Sequence, residues 1–80
     1  MIDEKESIRI SKFLSLVLRH KPEQIGLELD SHGWIDVNSL LQKCNQSNIP
    51  LTLDILKYVV ETNSKKRFAF DDHQNRIRAN

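Results

Sequence analysis

The segment from Ile10 to Pro22 most constrains the fold of this chain, because it combines a helical apolar stripe with a fixed end. Its apolar residues recur at the i, i+3, i+4, i+7, i+8 spacing of one helix face: Ile10, Phe13, Leu14, Val17 and Leu18. Proline disfavours helical backbone at the residue before it, so we expect the helix to end near His20. We expect the stripe to pack against a core. The end of the fixed helix then presents Arg19, His20 and Lys21.

The first helix is predicted to begin at Ser7, or at Asp3 if Asp3 and Glu6 form a capping box. After the helix, residues 27–30 alternate between leucine and acid, which is compatible with a very short extended piece. Residues 30–33 have the Asp-Ser-His-Gly composition of a turn. These features predict a compact connector between the first helix and the next element.

A strand of minimal length is predicted at residues 34–35, followed by two more helices. Asp36 is a favourable N-cap for a helix that ends near Cys44, and Thr52 for one that ends near residues 62–63. Each helix has an apolar stripe: Val37, Leu40, Leu41 and Cys44 in the second, and Leu53, Leu56, Val59 and Val60 in the third. We expect both stripes to face the core that the first helix requires.

The last fourteen residues change from helical spacing to the alternation of a strand. The runs 67–70 and 76–79 alternate, and the five polar residues between them predict a β-hairpin with a five-residue loop. One face of this hairpin carries apolar side chains: Phe68, Phe70, Ile77 and Ala79. Because successive side chains of a strand alternate, Arg76 and Arg78 must share the other face.

The predicted order of elements is α-β-α-α-β-β, which is the order of a winged helix. We therefore predict an α+β fold of the winged-helix type, with three helices, a short strand and a C-terminal hairpin. A plain helical bundle with a flexible tail is the structural alternative. A chain of 80 residues supplies one domain, so residues 1–80 are treated as a single lobe.

Composition narrows the function classes further. The net charge of +1 excludes a uniformly basic nucleic-acid binder, but the cations are clustered. One cluster is Lys12, Arg19 and Lys21, and the other is Lys65, Lys66, Arg67, Arg76 and Arg78. No apolar run reaches the roughly 20 residues of a membrane span, and the acidic start is unlike a secretory signal. The single Cys44 fits a reducing cytoplasm.

Few residues are suited to nucleophilic or metal chemistry. The sequence has no G-x-S-x-G motif and only two glycines, too few for a phosphate-cradling loop. Cys44 lies on an apolar stripe, which favours a buried, inert thiol. The three histidines lack zinc-ligand spacing, so we expect no metal. Trp34 is interpreted as a core residue, with a base-stacking platform as the alternative.

The arginines are the remaining candidates. Arg76 and Arg78 can be ordinary solvated surface, and cations at a helix end can simply complement the helix dipole. The planar arginine fork also grips two phosphate oxygens at once. If the helix tip and the hairpin meet, Arg19, His20 and Arg78 would form a phosphate clamp.

Four segments resemble the RNA 2′-phosphotransferase family. They are residues 11–15 leading into 18–23, Gly33-Trp34 with Val37, Leu40 and Leu41, residues 66–68, and residues 77–80. They occur in order and span nearly the whole chain, which makes the resemblance more specific than any one segment. It implies a winged-helix N-terminal lobe, followed in that family by a lobe of the ADP-ribosyltransferase type that binds NAD.

The family removes a 2′-phosphate from RNA, typically one left by tRNA splicing. The RNA phosphate attacks the ribose carbon that bears nicotinamide, which leaves; the ribose hydroxyl then expels the RNA, leaving ADP-ribose cyclic phosphate. The resemblance implies that Arg19, His20 and Arg78 are catalytic. We expect Lys21 and Arg76 to join them in binding RNA phosphate. Fixed cations suit this transferase chemistry because the nucleophile is itself a phosphate, and His20 can donate to it or move a proton.

The resemblance also implies parts that these eighty residues do not contain. The family continues beyond Ile-Arg-Ala-Asn with a Gln-Gly-His segment, a further active-site arginine and the NAD-binding lobe. We therefore expect an N-terminal part that binds RNA phosphate as a monomer, contacts its own NAD-binding lobe rather than a membrane, and is inactive alone.

Two other classes of function remain open at the level of sequence. A free-standing winged-helix module would read duplex DNA with its third helix. That helix offers Asp54, Lys57, Tyr58 and Glu61 beside Leu53, which is one cation against two acids. A protein-interaction domain would treat all the charges as surface. The positions of the arginines favour a phosphate partner at the helix tip and the hairpin instead.

Overall fold

A computed structural model describes residues 3–80. The helices are α1 (Glu4–Ser15), α2 (Val37–Gln46) and α3 (Leu53–Thr62), and the strands are β1 (Ile35–Asp36), β2 (Phe68–Phe70) and β3 (Arg76–Ala79). A π-helical turn (Leu16–His20) continues α1, and a 3₁₀ turn (Pro22–Ile25) follows it. The order α-β-α-α-β-β is the predicted one.

The start of α1 follows from its cap. The Asp3 carboxylate accepts a hydrogen bond from the Glu6 backbone N–H at 2.8 Å, which confirms the earlier of the two predicted starts. In a complete capping box the Glu6 carboxylate would also accept from the Asp3 backbone N–H. Here that carboxylate pairs with Arg9 at 2.9 Å instead. Ile10 and Leu14 are buried on the face that the apolar spacing predicted.

Side-chain caps also begin α2 and α3, as expected. The Asp36 carboxylate accepts from Ser39 N–H at 3.0 Å, and the Thr52 hydroxyl accepts from Ile55 N–H at 3.2 Å. One residue of the predicted stripes is wrong: Leu53 is 40% exposed. It is the first residue of α3 and lies between the buried Leu51 and Leu56.

Among the described residues, the connector contains the predicted turn and no assigned strand. Residues 30–33 form the predicted turn, with Gly33 N–H donating to the Asp30 carbonyl at 3.0 Å. No strand lies over residues 27–30 in the described chain. Their alternation instead reflects Leu27, which is buried, and Leu29, which packs at the edge of the core.

The three strands form one antiparallel sheet in the order β1-β3-β2. The register pairs Ile35 with Ile77 across β1 and β3, and Phe70 with Ile77 across β2 and β3. The hairpin is therefore part of a sheet, which excludes the helical bundle with a flexible tail. The architecture is mixed α and β, with three helices and a small sheet.

A single core joins the helices to one face of the sheet. Its buried residues come from every helix and strand: Ile10, Leu14, Val17, Leu18, Leu27, Ile35, Val37, Leu40, Cys44, Leu51, Leu56, Val59, Phe68 and Ile77. Burial raises the pKa of the Cys44 thiol to about 11, so this group stays protonated at neutral pH. None of the helices described between residues 3 and 80 is long and apolar enough to cross a membrane.

Candidate functional site

The tip of the first helix differs from an ordinary helix end. Lys21 N–H donates to the Leu16 carbonyl at 2.7 Å, an i to i−5 bond that widens the last turn. Pro22 explains the ending, because its ring keeps Lys21 out of helical geometry, and Lys21 has φ −139° and ψ 69°. Val17 and Leu18 stay buried in this turn while Arg19 and His20 are exposed. The predicted presentation of these two side chains is confirmed.

This turn lies against β3, the strand that carries Arg78. Cα atoms of the turn and of β3 approach within 8 Å, so the backbones that carry the predicted cations are neighbours. The end of β3 is tied down by Asn80, whose N–H donates to the Arg67 carbonyl at 2.7 Å. Its side-chain amide donates to the Lys66 carbonyl at 2.6 Å. Backbone placement thus brings the two predicted basic segments to one region.

The face of the sheet away from the core carries Trp34 and two arginines, and we call it the Trp34 face. Extending the β1–β3 register by one residue places Trp34 opposite Arg78. The Arg78 Cζ lies 5.0 Å from the indole centroid, and the Arg76 Cζ lies 5.3 Å from it. Both distances are in the range of cation–π contact. The interpretation of Trp34 as a core residue is wrong: it is half-buried and packs under guanidinium groups.

Arg76 is engaged by two carboxylates as well as by the indole. Its Nε donates to Asp71 Oδ2 at 3.2 Å, and its Nη1 lies 3.6 Å from Asp30 Oδ2. Asp30 also accepts from the backbone N–H groups of His32 and Trp34, at 2.8 and 2.9 Å. Arg76 thus links the turn before β1 to the hairpin loop.

Arg78 has different surroundings. It pairs with Ala69 on β2 and lies beside Trp34 on the other side. Its Nε is buried and has no hydrogen-bond partner among residues 3–80, and no carboxylate of these residues forms an ion pair with it. The positive charge of Arg78 is therefore not neutralised within the described chain.

Two carboxyl groups on this side of the molecule have lowered pKa values. Hydrogen bonding from Trp34 N–H is the main cause at Asp30, followed by His32 N–H and the charge of Arg76, and these outweigh desolvation. At Asp71, desolvation raises the pKa, but hydrogen bonds from Arg76 and Asn75 and the Arg76 charge outweigh it. Both carboxylates are therefore ionised at neutral pH, and they hold Arg76 rather than Arg78.

A groove of about 660 Å³ runs beside the Trp34 face, and its lining tests whether these residues suit a dinucleotide. Three carboxylates line it, those of Glu28, Asp30 and Asp36, beside the cations Lys43 and Arg76. Arg76 is already paired with Asp30 and Asp71, so carboxylates outnumber the available cations around any pyrophosphate bound there. Gly26 ends the 3₁₀ turn with φ 74°, and it does not precede a helix N-terminus that could bind phosphate. The charge balance of this groove does not favour the pyrophosphate of NAD. Residues 3–80 also contain no cluster of three or more His, Cys, Asp or Glu that could hold a metal.

Comparison with known families is decisive at this point. Residues 5–80 match the family described as "RNA 2'-phosphotransferase, Tpt1 / KptA family". The chain belongs to this family. The expectation drawn from its four sequence segments is confirmed, and the match covers nearly every described residue.

Curated relatives extend the comparison. A "Probable RNA 2'-phosphotransferase" of Flavobacterium johnsoniae is 54% identical over 78 residues, covering 98% of this chain and 43% of the relative. Another of the same name, from Burkholderia pseudomallei, is 56% identical over 71 residues, covering 89% of this chain and 39% of the relative. A third, from Herpetosiphon aurantiacus, is 47% identical over 78 residues, covering 98% of this chain and 43% of the relative. The chain thus spans about two-fifths of the length of these relatives.

Sequence reasoning missed three residues of this region. Trp34 was assigned to the core, and neither Asp30 nor Asp71 was recognised as a partner of an arginine. A signal for Asp71 was present, since an acid at the start of a hairpin loop can cap the loop and face the first residue of the next strand. The role of Trp34 depends on strand register, which a two-residue strand does not reveal.

Proposed function

We propose that this chain is the RNA-binding part of an RNA 2′-phosphotransferase, an enzyme that moves the 2′-phosphate of RNA to NAD and releases nicotinamide and ADP-ribose cyclic phosphate. In this proposal Arg19, His20 and Arg78 bind the phosphate, and Lys21 adds charge at the edge. The observation that carries it is the packing of the helix tip against β3, together with the unneutralised charge of Arg78.

The chemistry of the three side chains supports this assignment. A 2′-phosphate is a dianion on a flexible strand, so a site for it needs fixed donors of opposite charge. Arg19 and His20 are exposed at the end of a helix whose other face is buried, which fixes their backbone. Arg78 lies on the central strand of the sheet, between β1 and β2. Cations fixed in this way are the means by which a protein stabilises charge in phosphoryl chemistry.

We further propose that the fold is a winged helix. The element order and the antiparallel pairing of a short strand after α1 with the C-terminal hairpin support that assignment. In this arrangement the hairpin is the wing. The phosphate is then bound where the tip of α1 meets the wing, not by α3.

NAD belongs to the proposal as a co-substrate bound by residues outside these eighty. The carboxylate-lined groove supports this, because it does not suit a pyrophosphate. When bound, NAD supplies the electrophilic ribose carbon and the nicotinamide leaving group. The residues of this chain are assigned only to binding and orienting the RNA phosphate. We place the protein in the cytoplasm as a monomer that acts in RNA processing such as tRNA splicing.

Binding of a short RNA with and without one internal 2′-phosphate tests the proposal. The chain is expected to prefer the phosphorylated RNA by about tenfold or more, since charge-assisted hydrogen bonds contribute about 1.5–3 kcal/mol. Neutralising two or three phosphates gives a log–log salt slope of about −1.4 to −2.1 on single strands. Equal affinity for the two RNAs would contradict the proposal.

A turnover assay tests whether this chain can catalyse the reaction without the NAD-binding residues. Incubating the chain with NAD and 2′-phosphorylated RNA is expected to release no nicotinamide, because the residues of this chain bind only the RNA phosphate. Catalytic release of nicotinamide would show that this part of the enzyme suffices. A preference for duplex DNA over 2′-phosphorylated RNA would instead favour the DNA-binding alternative.

A further inference from the structure

The contact between Trp34 and Arg78 has a consequence for phosphate binding. An arginine side chain has many rotamers, and its guanidinium binds a phosphate well only if the fork is already oriented. A hydrogen bond donated by Nε is one ordinary means of fixing a guanidinium. The Arg78 Nε has no such bond to any residue of the described range, although it is buried. Some other contact must orient it.

The indole ring is the contact that is present. The Arg78 Cζ lies 5.0 Å from the Trp34 centroid, while Ala69, its partner on β2, offers only a methyl group. A cation over the face of an indole is attracted by the ring quadrupole, and the flat guanidinium stacks on it. Because the Nε is buried, the terminal Nη groups are the donors that this contact leaves to reach an anion.

Trp34 is itself fixed by a network that ends on Arg76. Its backbone N–H donates to Asp30 Oδ1, and Asp30 Oδ2 faces the Arg76 guanidinium. Arg76 lies against the same indole and is held by Asp71 from the hairpin loop. The indole is therefore anchored through its backbone and through a second, neutralised guanidinium.

We propose that Trp34 is a positioning residue, which orients the Arg78 guanidinium toward the RNA 2′-phosphate, and that Arg76 supports Trp34 instead of binding phosphate. This inference rests on the proposed function and deepens it. It also revises the expected role of Arg76, whose charge is already shared between two carboxylates.

The discriminating quantity is the 2′-phosphate selectivity, defined as the ratio of the Kd for unphosphorylated RNA to the Kd for the same RNA with a 2′-phosphate. Removing the indole by Trp34→Leu is expected to lower this selectivity about tenfold, and Trp34→Phe, which keeps a weaker aromatic face, by about threefold or less. Arg9→Lys is the matched control, because Arg9 is exposed and its ion pair is with Glu6. Circular dichroism and melting curves check that the variants are folded.

The outcomes separate three explanations. Unchanged selectivity in a folded Trp34→Leu variant overturns the positioning role and leaves the proposed function intact. An equal loss of affinity for both RNAs shows that Trp34 stacks on a base, which also overturns it. A wild-type selectivity of one overturns the proposed function, and the positioning role with it.

A second measurement does not depend on a Trp34 variant. Trp34 is the only tryptophan of the chain, so tryptophan fluorescence reports on the Trp34 face. Adding the 2′-phosphorylated RNA to the wild-type chain is expected to change the emission, and adding the unphosphorylated RNA at equal occupancy is expected to change it less. Identical emission changes with the two RNAs would overturn the inference even if Trp34→Leu failed to fold.

Discussion

Arg76 and Arg78 are two residues apart on one strand and contact the same indole, yet the two ends of the Trp34 face differ in charge balance. At the loop end, Arg76 faces Asp30 and Asp71. At the other end, Arg78 has no carboxylate partner among residues 3–80 and lies on the strand that neighbours the π-helical turn. Two arginines on the same face of one strand can therefore have different roles. Nearby carboxylates separate a structural arginine from one that is free to bind an anion.

The largest expected effect is a loss of stability on truncation of Ile77, the buried residue that supports both arginines. Ile77 lies between them on β3, is fully buried and points to the core. Truncation by Ile77→Ala is expected to lower the free energy of unfolding by about 2–5 kcal/mol, and Ile77→Val by about 0.5–1.5 kcal/mol. Urea unfolding measures both values. A loss below about 0.5 kcal/mol for Ile77→Ala would contradict the assignment of this strand to the core.

The next effect concerns binding and is specific to one arginine. Arg78→Ala is expected to lower 2′-phosphate selectivity by about tenfold or more, toward a ratio of one, because it removes a charge-assisted, forked contact. Arg78→Lys keeps the charge but not the fork and is expected to recover only part of the selectivity. Titrations of the two RNAs measure this. If Arg78→Lys binds as the wild type does, the contact is not bidentate.

The matching substitution at the loop end is expected to do the opposite. Arg76→Gln removes the partner of Asp30 and Asp71, so the melting temperature is expected to fall by about 2–5 °C. Selectivity for the 2′-phosphate is expected to change by less than about threefold. The comparison between the two arginines fails if Arg76→Gln reduces selectivity as strongly as Arg78→Ala.

The smallest effect is a dependence of stability on pH. The folded-state pKa values of Asp30 and Asp71 are lowered from 3.8, so each group contributes stability that is present above pH 3.8 and is lost as the pH falls through its folded pKa. The difference in unfolding free energy between wild type and Asp71→Asn is expected to be constant above about pH 5 and to shrink below pH 3.8. A difference that grows on acidification would contradict this linkage.

Much of the fold was predictable because local rules and burial agree. The caps at Asp3, Asp36 and Thr52 were readable from residue type, and Pro22 set the end of the first helix. The period-2 runs located the hairpin and its loop. The π-helical form of the last turn was not predictable, because it depends on how Lys21 N–H finds a carbonyl once proline has removed helical geometry.

The candidate site was predictable only in part. The residue types at the helix tip and on the hairpin were evident from the sequence, and the alternation of β3 placed Arg76 and Arg78 on one face. The sequence could not separate their roles, because the separation depends on Asp30 and Asp71, which approach Arg76 from two different loops. The prediction for Trp34 was wrong for a similar reason, since the pairing of β1 with β3 is a long-range contact.

The central claim is that the tip of the first helix and the third strand bind one phosphate together. The most direct test is a ¹⁵N–¹H NMR titration of the chain with two RNAs that differ only in a single 2′-phosphate. We predict that the shift differences between the two titrations concentrate at Arg19, His20 and Arg78, including the Arg78 Nε–H signal. Differences confined to α3, or equal shifts with both RNAs, would contradict the account.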